Sequence, residues 1–220
     1  MKKVIAFCVA LFIMSACGCK KSYCGFEDSL SELRTDYLTA SCDSGKIDIA
    51  TGTRENPYKI DGISEAKEEY TVITFTPTEF LPGTSYAYRA VIDGIEYTGQ
   101  LVMHPFAESY SADINDKCDG REIPLTLTCD EQLYEMTAVS VIADNMINAE
   151  RALEVAYGAL KPKIDGFKSG GKLNAELYVR IIPNPIDDKG GYYWYVAVAG
   201  STTFAVLLDP VTEEIIAKRE

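Results

Sequence analysis

Between Lys46 and Ala143 the chain is a succession of short runs rich in Val, Ile, Thr and Tyr, interrupted about every eight to twelve residues by Gly, Pro, Asn or Asp. A segment punctuated this often leaves no space for long helices. Its apolar residues have to be buried by pairing strands and packing sheet on sheet, which predicts an all-β sandwich. The sharpest local signal is Asp93-Gly94, a dipeptide whose tolerance of positive φ suits a two-residue hairpin turn. Pairing outward from it sets Ile92 opposite Ile95, Ala90 opposite Tyr97, Tyr88 opposite Gly99 and Tyr86 opposite Leu101, an apolar face for the core. The other face, pairing Val91 with Glu96, Arg89 with Thr98 and Ala87 with Gln100, suits water. Further strands are expected at Tyr70 to Thr76, Ser109 to Ile114, Ile123 to Cys129 and Leu133 to Ile142.

The flanks differ in period. Leu30, Leu33, Tyr37 and Leu38, at offsets of three, seven and eight residues behind Asp28 and Ser29, predict a short helix before the strands. Beyond Asn145, Asn148 caps a second helical stripe of Ala152, Val155, Ala156, Ala159 and Leu160, ended by Pro162 and Gly166. Strands are expected at Leu173 to Ile182, Tyr192 to Ala199, Thr202 to Leu208 and Glu213 to Lys218. The fold class is therefore α+β, with residues 26–143 as helix plus sandwich and residues 144–220 as one helix on an antiparallel sheet.

Read as a two-residue turn, Gly200-Ser201 places Trp194, Val196, Val198, Ala205 and Leu207 on one hairpin face and Tyr193, Tyr195, Phe204, Val206 and Leu208 on the other. Both faces are apolar, and one helix covers only one of them. The tyrosine-bearing side is either packed on the sandwich or a partner surface.

The stretches INAERALEVAYGAL, YYWYVAVAG and FAVLLDPVTEEIIAKRE resemble the PepSY domain of bacterial envelope proteins and protease propeptides, over roughly Ile147 to Glu220. Asp209 followed by Pro210, Val211, Thr212 and Glu213 departs from the family's small-residue turn. The resemblance implies protein binding, including restraint of an extracellular peptidase. Residues 25–143 show only a general immunoglobulin-like pattern.

Lys2 and Lys3, the apolar run Val4 to Met14, and Ser15-Ala16-Cys17 compose an export signal too short to span a bilayer. It is similar to bacterial lipoprotein signals, which implies cleavage after residue 16, a lipid on Cys17 and a tether over residues 17–25, holding the protein on the outer side of the cell membrane. Cys19 is a second candidate. The formal charge of −12 argues against nucleic acid or an anionic lipid surface as partner. In an oxidising compartment the remaining cysteines are expected to be structural: Cys118 with Cys129 around Asp119-Gly120, and Cys24 with Cys42.

Catalytic constellations are scarce. The only histidine, His104, stands at a strand end before Pro105, and Asp113, Asn115, Asp116 and Asp119 lack the mid-loop Gly and distal Glu of a calcium loop. No metal site, cofactor or enzymatic activity is expected. The expected role is protein binding at the envelope. The alternative is a small-molecule lipoprotein with its pocket between the two modules.

Overall fold

The computed structural model describes residues 22–57, 66–170, 172–187 and 189–219; Cys17, Cys19 and the export segment lie outside them. Eight strands follow from Leu30 onward: β1 Leu30–Cys42, β2 Gly45–Glu55, β3 Lys67–Pro77, β4 Tyr86–Ile92, β5 Ile95–Met103, β6 Tyr110–Ile114, β7 Glu122–Cys129 and β8 Gln132–Ser140. Their spatial order is β1-β2-β3-β6-β5-β4-β7-β8. The ring closes where Leu38 and Thr39 of β1 meet Ser140 and Val139 of β8. This corrects the expected immunoglobulin-like sandwich: the strands form a closed barrel rather than two stacked sheets. Alternating apolar and polar residues satisfy either architecture, and what decides is whether the first and last strands pair.

The Asp93-Gly94 hairpin has the expected register throughout, from Ile92 opposite Ile95 to Tyr86 opposite Leu101. Both turn residues take positive φ, 48° at Asp93 and 85° at Gly94. The Asp93 carboxylate also accepts the backbone N–H groups of Asp119 and Gly120, tying the turn to the β6–β7 loop. Leu38, Ile49, Ile73, Phe75, Ile92, Ile123 and Leu127 project into the barrel and fill it, as side chains do in a ring of eight strands.

Residues 30–42 are a strand, not the expected helix. The pairing of β1 with β2 shifts register between Arg34 and Asp36. The apolar residues of β1 serve two cores: Leu30 and Tyr37, one on each side of the bulge, belong to the core that holds the C-terminal helix, and Leu38, on the opposite face from Tyr37, lies inside the barrel. A bulged strand with a core on each of its faces produces offsets of three, seven and eight without being helical.

On its other edge the first half of β1 pairs in parallel with β11, Glu176–Pro183. The sheet continues through β12 Tyr192–Ala199, β13 Thr203–Leu208 and β14 Ile215–Arg219, all antiparallel, as a wing on the barrel. Helix α1, Ala149–Gly166, lies on one face of the wing. Two-residue strands β9 (Lys168–Ser169) and β10 (Lys172–Leu173) make a small separate hairpin after it. Asn148 caps α1 by accepting the Arg151 N–H at 2.9 Å. The helix passes Pro162 because Leu160 and Ile164, both fully buried, hold its last turns on the sheet. Barrel and wing share β1 in one 12-stranded sheet, in place of the sandwich plus separate helix-on-sheet module.

Candidate functional site

The β12–β13 hairpin pairs Ala199 with Thr203, Val198 with Phe204, Val196 with Val206 and Trp194 with Leu208. Gly200, Ser201 and Thr202 thus form a three-residue loop instead of a two-residue turn. A one-residue slip turns every side chain of a strand over. Phe204, Val206 and Leu208 therefore lie on the helix side with Trp194, while Ala205 and Leu207 join Tyr193 and Tyr195 on the helix-free side, which corrects the expected partner face. Phe204 stacks near Phe167, at 5.7 Å between ring centroids.

β11 adds Tyr178, Arg180 and Ile182 to the helix-free side, opposite Ala197, Tyr195 and Tyr193. β1 adds Glu32 beside Tyr178 and Arg34 beside Arg180. Glu32 is the hub of this side. One of its oxygens accepts from Arg34 Nη2 at 3.0 Å and from the Tyr70 hydroxyl at 2.7 Å, and the other pairs with Arg180 Nη2 at 2.5 Å. Burial, then the Glu32 charge, pushes the Tyr70 hydroxyl far above its ordinary pKa, so it remains a donor. Arg180 lies over the Tyr178 ring at 4.5 Å and Arg54 over the Tyr70 ring at 4.9 Å.

Replacing Glu32 with alanine should leave two guanidinium groups and a hydroxyl without their shared acceptor. Wholly buried pairs lose several kcal/mol when broken, but Arg34 and Arg180 are 22% and 29% exposed. Water takes over part of the carboxylate's role, so a loss of about 2 kcal/mol is expected in urea unfolding. An unchanged midpoint would show that the cluster does not hold the β1–β11 junction.

Sequence reasoning missed this cluster. Its members come from positions 32–34, 70 and 178–180, and reading residues 30–38 as a helix dispersed Glu32 and Arg34 over a solvated surface. The available signal was the i, i+2 spacing of Glu32 with Arg34 and of Tyr178 with Arg180, which puts each pair on one face of a strand.

The expected disulfides are absent: Cys24, Cys42, Cys118 and Cys129 are all free thiols. Cys24 and Cys42 stand beyond and at the two ends of β1, and Cys118 is separated from Cys129 by the whole of β7. At about 3.3 Å per strand residue these are separations on the order of 20 Å or more, against the roughly 7 Å that a disulfide bridges. Asp119-Gly120 lies in the loop that leads into β7 rather than turning the chain back between Cys118 and Cys129. Cys118 is buried, and burial followed by the Asp93 charge lifts its thiol to about 11. Iodoacetamide at about pH 8 should therefore modify Cys118 only after denaturation, since thiolate is the reactive form. Half-buried Cys24, Cys42 and Cys129 should react first by peptide mass spectrometry, and early labelling of Cys118 would contradict its placement.

His104 accepts the Phe106 N–H on Nδ1, an exposed local contact. The acidic loop does not converge: Asp113 accepts from Arg54, Asp116 from the Tyr97 hydroxyl, and Asp119 from Lys117. Among the described residues no group of three or more His, Cys, Asp or Glu could hold a metal ion. Where β8 leaves the barrel for α1 there is a cleft of about 400 Å³ lined by Tyr23, Thr35, Arg121, Met146, Asn148 and Glu150. Its guanidinium, Arg121, already binds the Ile142 carbonyl at 2.8 Å and Asp144 at 3.2 Å.

The arrangement that stands out chemically is thus the helix-free wing face, tyrosines and arginines on a rigid sheet. Compared with protein-family models, with curated proteins and with solved structures, the chain matches none.

Proposed function

We propose that this chain is an exported, lipid-anchored envelope protein that acts by binding another protein, without catalysis, through the helix-free face of its wing. The observation that carries the reading is the composition of that face. Half-buried Tyr178, Arg180, Tyr193 and Tyr195 stand together on one side of a sheet whose other side is filled by α1. Tyrosine and arginine are among the residues enriched at protein contacts, because each gives large area and directed hydrogen bonds. Anchoring is supported by the segment from Lys2 to Cys17.

A photo-crosslinking side chain placed at Tyr195, and separately at exposed Leu133 on the barrel, tests the surface. One dominant adduct from position 195 and none from 133 is the expected result in native envelopes. Equal yields from both positions, or none from 195, would overturn it. Cys17→Ser should move the protein out of the membrane fraction; continued membrane association would remove the anchor at that residue.

The cleft beside Arg121 favours a second reading, a small-molecule site at the junction of barrel and wing. Stabilisation by sugars, peptides or divalent cations in a thermal-shift screen, lost in Arg121→Ala, would support it.

A further inference from the structure

We infer that the barrel wall is split between β5 and β6, and that the split takes up an extended, basic segment of a partner protein as an added strand along β5 from Glu96 to Gln100. This site lies on the barrel, apart from the wing face. The β5–β6 seam has only two residue pairs, Val102 with Ser111 and Met103 with Tyr110, whereas β3 pairs with β6 as far as Ile114 and β4 pairs with β5 as far as Ile95. Past Val102 and Ser111 the two strands therefore part. Just before that seam the His104 N–H donates to the Ser109 carbonyl at 2.8 Å, and the alternation carried back along β5 directs its even-numbered residues toward β6. Counting from the two-residue turn gives the same result, with Ile95, Tyr97, Gly99 and Leu101 bonded to β4. Glu96, Thr98 and Gln100 thus each aim one N–H and one C=O into the split, and among the described residues none of these backbone groups has a hydrogen-bond partner. No proline, lysine or bulge interrupts this edge.

Exposure agrees with an open wall. Ala90 and Ile92 on β4 are 0% and 1% exposed, while Ile95, opposite Ile92, is 54% exposed and Tyr97, opposite Ala90, is half-buried. A cleft of about 480 Å³ lies at the split, lined by Tyr88, Gln100, Val102, Ser111, Ala112 and Asp113. The occupant has to be slender, because β6 and the loop after it wall the far side, where the Tyr97 hydroxyl donates to the Asp116 carboxylate. That wall keeps off the folded edge strand of a second copy and admits a single extended chain. Its inward residues have to be small, since a Cβ on Gly99 would already stand 2.9 Å from the Tyr88 ring. Charge favours a basic chain: exposed Glu96 and Asp113 border the split, and the arginines paired with them, Arg89 on β4 and Arg54 on β2, stand behind them on other strands. In strand addition the main-chain ladder supplies affinity and the alternate side chains supply specificity.

The test pans a phage-displayed library of random nine-residue segments on the full mature chain, then follows the enriched segments as synthetic peptides by fluorescence anisotropy and amide hydrogen exchange. In the free protein, exchange should be fast at Glu96, Thr98 and Gln100 and slow at Tyr97 and Gly99, which bond to β4. The peptide should slow the first three. Enriched segments should alternate small apolar residues with lysine, arginine or threonine. N-methylation of alternate peptide amides should weaken binding on the order of tenfold, the effect of losing one or two hydrogen bonds. Thr98→Pro removes an edge donor without touching the β4 ladder, and should weaken binding by a similar factor at an unchanged urea midpoint. Thr98→Ala should bind as wild type, because the contact is made by the main chain. If the proline variant unfolds, the N-methylated peptides decide the question without it. Slow exchange at Glu96, Thr98 and Gln100 in the free chain, no enriched segment, acidic enriched segments, or N-methylated peptides that bind as well as their parents would each overturn the inference. A concentration-dependent dimer that is lost in Thr98→Pro would assign the edge to a second copy and overturn it as well.

Discussion

Replacing Gly52 with alanine is expected to destabilise the protein by about 3 kcal/mol or more, the upper end of what overpacking costs, and to abolish folding in a marginal background. A Cβ at this position would lie 2.0 Å from the Leu33 carbonyl oxygen and 2.9 Å from Arg34 Cα. Both are backbone atoms of the neighbouring strand, so no side chain can swing away. Gly52 pairs with Arg34 on one side and Tyr70 on the other, next to the bulge between Arg34 and Asp36. That bulge is where β1 passes from pairing with β11 to pairing with β8. Pushing β1 off β2 there would open the barrel and detach the wing together. Gly158→Ala is the control. Nothing lies within 4 Å of a Cβ at that point of α1, and it should stabilise by about 0.5 to 1 kcal/mol through helix propensity. Urea midpoints of the two variants, measured side by side, check the contrast. A wild-type midpoint for Gly52→Ala would mean that the strands are not in contact as described.

The same region shows what the sequence could and could not disclose. The Asp93-Gly94 hairpin was readable to the last pair because a two-residue turn determines register locally. The C-terminal helix and the four wing strands β11 to β14 were readable as elements because each keeps one period and one face. Closure of the barrel was not, since it depends on Leu38 and Thr39 finding Ser140 and Val139, about a hundred residues away, with no local signature. Misreading β1 followed from its bulge and from its service to two cores, one through Leu30 and Tyr37 and the other through Leu38. One residue too few in the Gly200 to Thr202 loop was enough to put Phe204, Val206 and Leu208 on the wrong side of the wing. Of the candidate surface, Tyr193 and Tyr195 were identified. Their charged neighbours were hidden because Glu32, Arg34 and Arg180 meet only through the parallel pairing of β1 with β11.

The second large effect is expected at Trp194, the only tryptophan in the chain and 1% exposed. It lies in the core between α1 and the wing, and its indole N–H donates to the Ile147 carbonyl at 2.9 Å, immediately before the cap of α1. Trp194→Ala removes the largest side chain of that core and orphans the carbonyl, for an expected loss of about 4 kcal/mol. Trp194→Phe keeps most of the apolar contact and drops the donor, for about 1 to 2 kcal/mol. Because β1 belongs to both cores, the loss should appear as one shifted transition by circular dichroism, with barrel and wing unfolding together. A biphasic curve in Trp194→Ala, with the later phase at the wild-type midpoint, would show instead that the barrel stands without the wing. Trp194 also lies between Tyr193 and Tyr195 on β12, facing the opposite way. A buried anchor between two outward tyrosines fixes their spacing and direction. Trp194→Ala should therefore abolish crosslinking from position 195 even in buffers where the protein remains folded, while Trp194→Phe preserves it.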